Sequence, residues 1–98
     1  MKQKFELLFK DEAEIEVFEA YVYYESKLDN LGERFLIEFD KVIKSIELAP
    51  NGYQIFHNGT RQIPLDVFPF VVIYKIMENK LIIFAIFQTH QEPSTKIR

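Results

Sequence analysis

Four side chains in the last third of this sequence could act together on a phosphate group. They are Arg61, Lys75, Gln88 and His90, with Lys96 and Arg98 close behind on the tail. Cations held on a sheet face stabilise a phosphate and the charge that develops on it. Cleavage of RNA through its 2′-hydroxyl needs a base, an acid and such cations. His90 is the one member of the set whose ordinary pKa suits proton transfer near neutrality. The competing reading, which spacing alone favours, is that Arg61 pairs structurally with an acid or a carbonyl and His90 is an exposed tail residue.

Other chemistry finds little footing. His57 and His90 are the only imidazoles, and neither sits in a metal-ligand spacing. Ser26, Ser45 and Ser94 lie in no nucleophile-elbow context. Gly32, Gly52 and Gly59 are isolated, so no phosphate-cradling loop is expected. Tyr23 and Tyr24 read as packing residues before catalytic ones. There is no cysteine, hence no thiolate site. Neither a metal nor any other cofactor is expected.

The elements that must position the phosphate-facing set begin with a hairpin. Two apolar runs, Phe68–Met77 and Leu81–Phe87, flank the polar tripeptide Glu78-Asn79-Lys80. Both are rich in β-branched and aromatic residues, which suit a pleated, packed surface. Phe70, Val72, Tyr74 and Ile76 alternate with Val71, Ile73, Lys75 and Met77. Leu81, Ile83, Ala85 and Phe87 alternate with Ile82, Phe84 and Ile86. Both faces are apolar, so the sheet is expected to be central and covered on both sides. Residues 61–65 read as a further strand, which Pro64 confines to an edge. Residues 4–9 read as a short strand of their own.

Two helices lie between. Asp11 is expected to cap the first, with Glu14 three residues on as in a capping box. Ala13, Val17, Ala20, Tyr21, Tyr24 and Leu28 form a stripe that should face the sheet. Ile15, Phe18 and Val22 form a second stripe nearly opposite. That second stripe either packs on the next helix or is exposed apolar surface of the kind that marks an interface, with a partner protein or a second copy. Asn30 starts the second helix, whose broad apolar face carries Leu31, Phe35, Leu36, Phe39, Val42, Ile43, Ile46 and Ala49. Gly32 in its first turn costs about 1 kcal/mol against alanine and needs a reason such as close helix–helix approach. Pro50-Asn51-Gly52 stops the helix. The short link around Asp29 makes the pair an antiparallel αα-hairpin.

The chain of 98 residues is one domain, with residues 89–98 a polar tail expected to be mobile. Its apolar fraction of 48% excludes a disordered chain. Its longest apolar run, Val67–Tyr74, is far short of the ~20 residues of a membrane span. The first residues are too charged for a signal peptide, so a cytoplasmic, membrane-free protein is expected. The net charge of −3 is unevenly spread: residues 1–10 carry +2, residues 11–49 carry −7 and residues 50–98 carry +2. That is no basic stripe of the kind a nucleic-acid binder shows.

The ordered residues also resemble a known family. Ala13, Glu16, Val17 and Ala20, then Tyr23-Tyr24-Glu25 and Leu31-Gly32-Glu33-Arg34-Phe35, are similar to the opening helices of the RelE/ParE toxin superfamily. Ile46 before Pro50, the lone strand Arg61, Phe68-Pro69-Phe70, Ile73-Tyr74, Ala85-Ile86-Phe87 and Pro93 continue the likeness. The set is nearest to the plasmid-stabilisation, ParE-like branch. The resemblance implies an α+β fold: one N-terminal strand, an αα-hairpin, then a three-stranded antiparallel meander, with the helices on one face of the sheet. It implies the toxin of a toxin–antitoxin pair, neutralised by a small cognate antitoxin protein. Of the two family activities, the ParE branch is associated with DNA gyrase and the RelE branch cleaves mRNA on the ribosome.

The departures from the pattern select between them. Aligned without gaps on Ala85 and Pro93, the family His falls on Gln88 and its two Arg on His90 and Gln91, while the family Tyr after Pro69 is Phe70. The expectation is therefore a non-enzymatic, protein-binding toxin, with a ribosome-dependent endonuclease or a non-toxic antitoxin binder as alternatives. Ile15, Phe18, Val22, Arg61 and Gln88 are the expected partner-binding residues. Arg61, Lys75 and His90 are the weak catalytic candidates.

Overall fold

The computed structural model describes residues 5–89. The elements run β1 (Glu6–Phe9), α1 (Asp11–Lys27), α2 (Leu31–Leu48), β2 (Arg61–Pro64), β3 (Phe70–Met77) and β4 (Lys80–Gln88). A single 3-10 turn, His57–Gly59, precedes β2. The strands form one sheet in the order β1-β4-β3-β2. β2, β3 and β4 make an antiparallel meander, and β1 joins its far edge parallel to β4. This is the α+β arrangement expected of the chain. Lys4, expected in the first strand, and the expected tail beyond Thr89 lie outside the described residues.

The core lies between the αα-hairpin and one sheet face. Ala13 and Ala20 of α1 and Phe35, Phe39, Val42, Ile43 and Ile46 of α2 are buried against Val72, Tyr74, Leu81, Ile83 and Ile86. Small residues on α1 let that helix approach the strands, while α2 supplies bulk. Phe35 alone makes ring contacts with Tyr24, Phe39, Phe68 and Phe70. Leu28, expected on the inward stripe, is exposed because α1 has already ended at Lys27. Leu36 and Ala49 sit at the margins of the α2 face and are exposed too. Among the described residues, no helix covers the opposite sheet face, whose Val71, Ile73, Ile82 and Phe84 are only half-buried.

The hairpin departs from simple alternation at one point. Ile73 pairs with Ala85, but Tyr74 pairs with Ile83, so Phe84 is an extra residue in β4. A one-residue bulge flips the facing of everything after it. Ile86 therefore joins Leu81 and Ile83 on the helix side and pairs with Val72. Alternation alone would have put it with Ile82 and Phe84. Lys80 also belongs to β4, where it pairs with Met77. The turn is thus only Glu78-Asn79, with Glu78 at φ 59°, a conformation for which glycine is the usual residue.

Carboxylates complete the backbone where elements end. α1 begins without a side-chain cap: Lys10 is at its N-cap, and Asp11 is the first helical residue rather than the cap. Asp11, Glu12 and Glu14 in its first turn still face the positive end of the helix dipole. Asn30, at φ 73°, makes no side-chain cap for α2 either. Glu25 does that work from the previous helix, accepting from Asn30 N and Gly32 N at 2.9 Å each. Glu38 Oε2 accepts from Asp66 N and Val67 N at 2.8 Å. Glu16 Oε1 accepts from Ile86 N at 3.0 Å, two residues beyond the bulge.

Gly32 has the reason its position demanded. A Cβ there would stand 2.6 Å from the Tyr21 carbonyl oxygen and 2.8 Å from its ring. The two helices touch backbone to backbone at this point, which no larger residue allows.

Candidate functional site

Two regions carry the residues singled out from the sequence. The first is the sheet around Arg61. In the β2–β3 register Arg61 pairs with Tyr74, and both face the helices. The guanidinium donates from Nη1 to Tyr53 O at 2.6 Å and Asn51 O at 3.3 Å, and from Nη2 to Asn51 Oδ1 at 3.4 Å. Tyr74 is fully buried, and its hydroxyl donates to Pro50 O at 2.7 Å. Burial pushes its pKa up to about 12, with Arg61 opposing the rise and Tyr53 adding to it. Arg61 is thus engaged with the carbonyls of the loop after α2.

The expected convergence on a phosphate does not occur among the described members of the set. Lys75 follows Tyr74 along β3, so it points to the opposite sheet face from Arg61. Its Cε lies 3.4 Å from where a Cβ on Gly59 would be. Gln88 pairs with Phe70, four residues along β3 from the partner of Arg61, or about 13 Å at strand rise. His90, Gln91, Lys96 and Arg98 lie outside the described residues.

What Gln88 does border is a cleft of about 360 Å³ between α1 and the ends of β3 and β4. Its walls include Glu16, Glu19, Tyr23, Tyr24 and Phe70. Two carboxylates repel a phosphate rather than hold it. Tyr24 reaches into this wall, and its pKa is raised, first by burial and then by Tyr23. Among the described residues, no group of three or more acids and imidazoles has a metal-binding arrangement.

The second region is on the helices. Ile15, Phe18 and Val22 are 55%, 64% and 46% exposed. That exposure counts against the alternative that they pack on α2, which meets α1 through Gly32 and Tyr21, one turn from Phe18 along the same side of the helix. Phe18 borders an open groove of about 420 Å³, lined also by Phe9, Glu14, Val17, Tyr21, Leu36 and Phe39. Six of its seven walls are apolar or aromatic. Leu36, which periodicity assigned to the core, is a 38% exposed wall of this groove. Its place at the rim of the α2 face was the signal for that role. Phe9 carried no such signal, because only the β1–α1 corner brings it there.

No family model and no curated protein matches this sequence. Solved structures do match its fold. A chain of the chromosomal ParDE TA system from P. aeruginosa superposes with a TM-score of 0.75 at 17% identity, over 91% of this chain and 100% of that one. A chain of the intact E. coli RelBE toxin-antitoxin complex gives 0.65 at 11% identity, over 89% and 99%. The isolated E. coli RelE toxin gives 0.57 at 12% identity, over 93% and 90%. The fold is that of the RelE/ParE toxins. Within it, Arg61 serves as a loop anchor and the apolar helix groove lies open.

Proposed function

We propose that this chain is the toxin component of a type II toxin–antitoxin pair, acting by binding a protein target of the gyrase type and neutralised by a small antitoxin. The observation that carries the reading is the whole-length fold match to a chain of a ParDE system. The geometry supports a binding role over a ribonuclease. Arg61 is occupied by loop carbonyls, Lys75 faces away from it, and Gln88 borders carboxylates. Ile15, Phe18 and Val22 supply the exposed apolar surface for a partner. No described helix is long and apolar enough to cross a membrane.

Induction of the chain alone in bacteria is expected to slow growth, and co-expression of its small antitoxin to restore it. Supercoiling assays on purified gyrase should then show inhibition. Normal growth at high folded expression would leave the alternative of an antitoxin binder without toxicity. A second reading, ribosome-dependent mRNA cleavage, has the RelE fold match in its favour. Incubation with translating ribosomes and message separates the two: cleavage by the wild type, lost in His90→Ala, supports the nuclease.

A further inference from the structure

The cleft between α1 and the ends of β3 and β4 has the lining of a site for organic cations. α1 supplies one wall at helical spacing: Glu16, then Glu19 and Ala20, then Tyr23 and Tyr24, over two turns or roughly 11 Å. The strands supply the other, with Phe70 and Gln88 paired in the β3–β4 register and Ile86 beside them. Three aromatic rings meet here edge to face, Tyr23 on Tyr24 at 5.2 Å and Tyr24 on Phe70 at 6.3 Å between centroids. Glu16 Oε1 accepts from Ile86 N, which fixes that carboxylate against the strand. Among the described residues, no hydrogen bond engages Glu16 Oε2, the Glu19 carboxylate, the two tyrosine hydroxyls or the Gln88 amide. Nor does any lysine or arginine among them line the cleft. Lys27, outside the lining, places its Nζ 5.0 Å over the Tyr23 ring, so an aromatic group of this wall already receives a cation.

We propose that this cleft binds a small aliphatic polycation with no carboxylate of its own, a molecule of the polyamine class. Carboxylates and ring faces both attract an ammonium or guanidinium group. Ala20, Ile86 and Phe70 give apolar surface to the methylenes between the charges. A volume of about 360 Å³ is that of a small-molecule site. A nucleotide or an amino acid would bring an anion against two carboxylates that no described cation offsets. A metal ion lacks its ligands, since no described group of three acids or imidazoles converges. The rings beside the acids thus select an organic cation over a hydrated one. The site is independent of the toxin reading, which concerns a protein target.

Calorimetric titration of the full chain with spermidine, agmatine and arginine tests this. Spermidine and agmatine are expected to bind one to one and to raise the melting temperature. Arginine, which is agmatine with a carboxylate added, should bind about fivefold more weakly than agmatine. Glu19→Gln and Tyr23→Ala should each weaken spermidine about two- to fivefold, whereas Tyr23→Phe keeps the ring and the affinity. Both side chains are exposed, so these variants should retain the fold, checked by circular dichroism. Glu12→Gln takes the same charge from α1 outside the cleft and should change nothing. Equal losses in Glu12→Gln and Glu19→Gln would show general attraction to an acidic helix and overturn the proposal. So would arginine matching agmatine, or neither heat nor a melting shift with spermidine and agmatine. An arginine-bearing peptide that binds more than about tenfold tighter than spermidine would assign the cleft to a protein side chain and overturn the small-molecule reading. Growth arrest without polycation binding refutes this site and spares the toxin reading; binding without growth arrest does the reverse.

Discussion

Arg61 and Tyr74 face each other across the β2–β3 pair and end on the same loop. The guanidinium takes the carbonyls of Asn51 and Tyr53, and the hydroxyl takes that of Pro50. The two side chains fasten the exit of α2 to the sheet. Each of these hydrogen bonds satisfies a backbone carbonyl of the loop that follows α2.

Arg61→Ala should accordingly behave as a stability variant. Loss of its bonds to Tyr53 and Asn51 is expected to cost about 1–3 kcal/mol, measured by urea unfolding. Arg61→Lys should recover part of this, since an ammonium cannot reach both residues with the fixed fork of a guanidinium. Partner binding per folded molecule should change little. A fully stable Arg61→Ala protein that has lost binding would contradict the anchoring role.

Tyr74 gives the fold an alkaline limit. The folded protein holds its proton up to about pH 12, while the unfolded chain releases it near 10.0. The stabilisation is therefore whole below pH 10, drains as pH rises through that interval, and is gone above the folded pKa. Unfolding free energies measured from pH 8 to 12 should fall over this range. Tyr74→Phe should flatten that fall and cost about 1 kcal/mol at neutral pH through the lost bond to Pro50. An unchanged slope in Tyr74→Phe would assign the effect to other groups.

Gly32→Ala reverses the ordinary expectation for a helix. An exposed site would gain about 1 kcal/mol from alanine. Here the added methyl meets the Tyr21 carbonyl at 2.6 Å, and backbone cannot yield as a flexible side chain does. Separation of the helices should cost about 1–3 kcal/mol and lower the melting temperature. A melting temperature at or above wild type would show that the pair can part freely.

Glu16 tests the bulge. Glu16→Gln keeps an acceptor for Ile86 N and should be close to neutral. Glu16→Ala leaves that half-buried amide without its partner, at about 1–3 kcal/mol. Hydrogen exchange at Ile86 should quicken in the alanine variant and stay slow in the glutamine one. Equal exchange rates in the two would show that the carboxylate is incidental.

Periodicity and composition were enough for the element order, the αα-hairpin and the meander, because each rests on local pattern. Gly32 was legible for the same reason: a helix breaker inside a strong helix signals a close approach. The Phe84 bulge was hidden, since apolar residues on both faces of β4 leave alternation with no polar marker of register. Asn30 does stand at the start of α2, but Glu25 bonds the amides there from the preceding helix, a cap that sequence rules, which look only at neighbours, do not show. The site suffered most. Arg61, Lys75 and Gln88 looked clustered along the chain, but strand parity sends Lys75 to the other face and the pairing register sets Gln88 far along β3. The stripe Ile15, Phe18 and Val22 was legible as surplus apolar surface. Its groove, with Phe9 and Leu36 as walls, existed only once three elements met.

The parallel pairing of β1 with β4 sets a schedule for synthesis. Leu7 pairs with Leu81 and Phe9 with Ile83, so the first strand made is completed only by the last. During translation, a ribosome emitting about 5–20 residues per second holds this sheet open until β4 emerges. The αα-hairpin, which closes on local contacts, can form well before that. The helix face of the core is thus assembled while the sheet it will cover is still being spelled out.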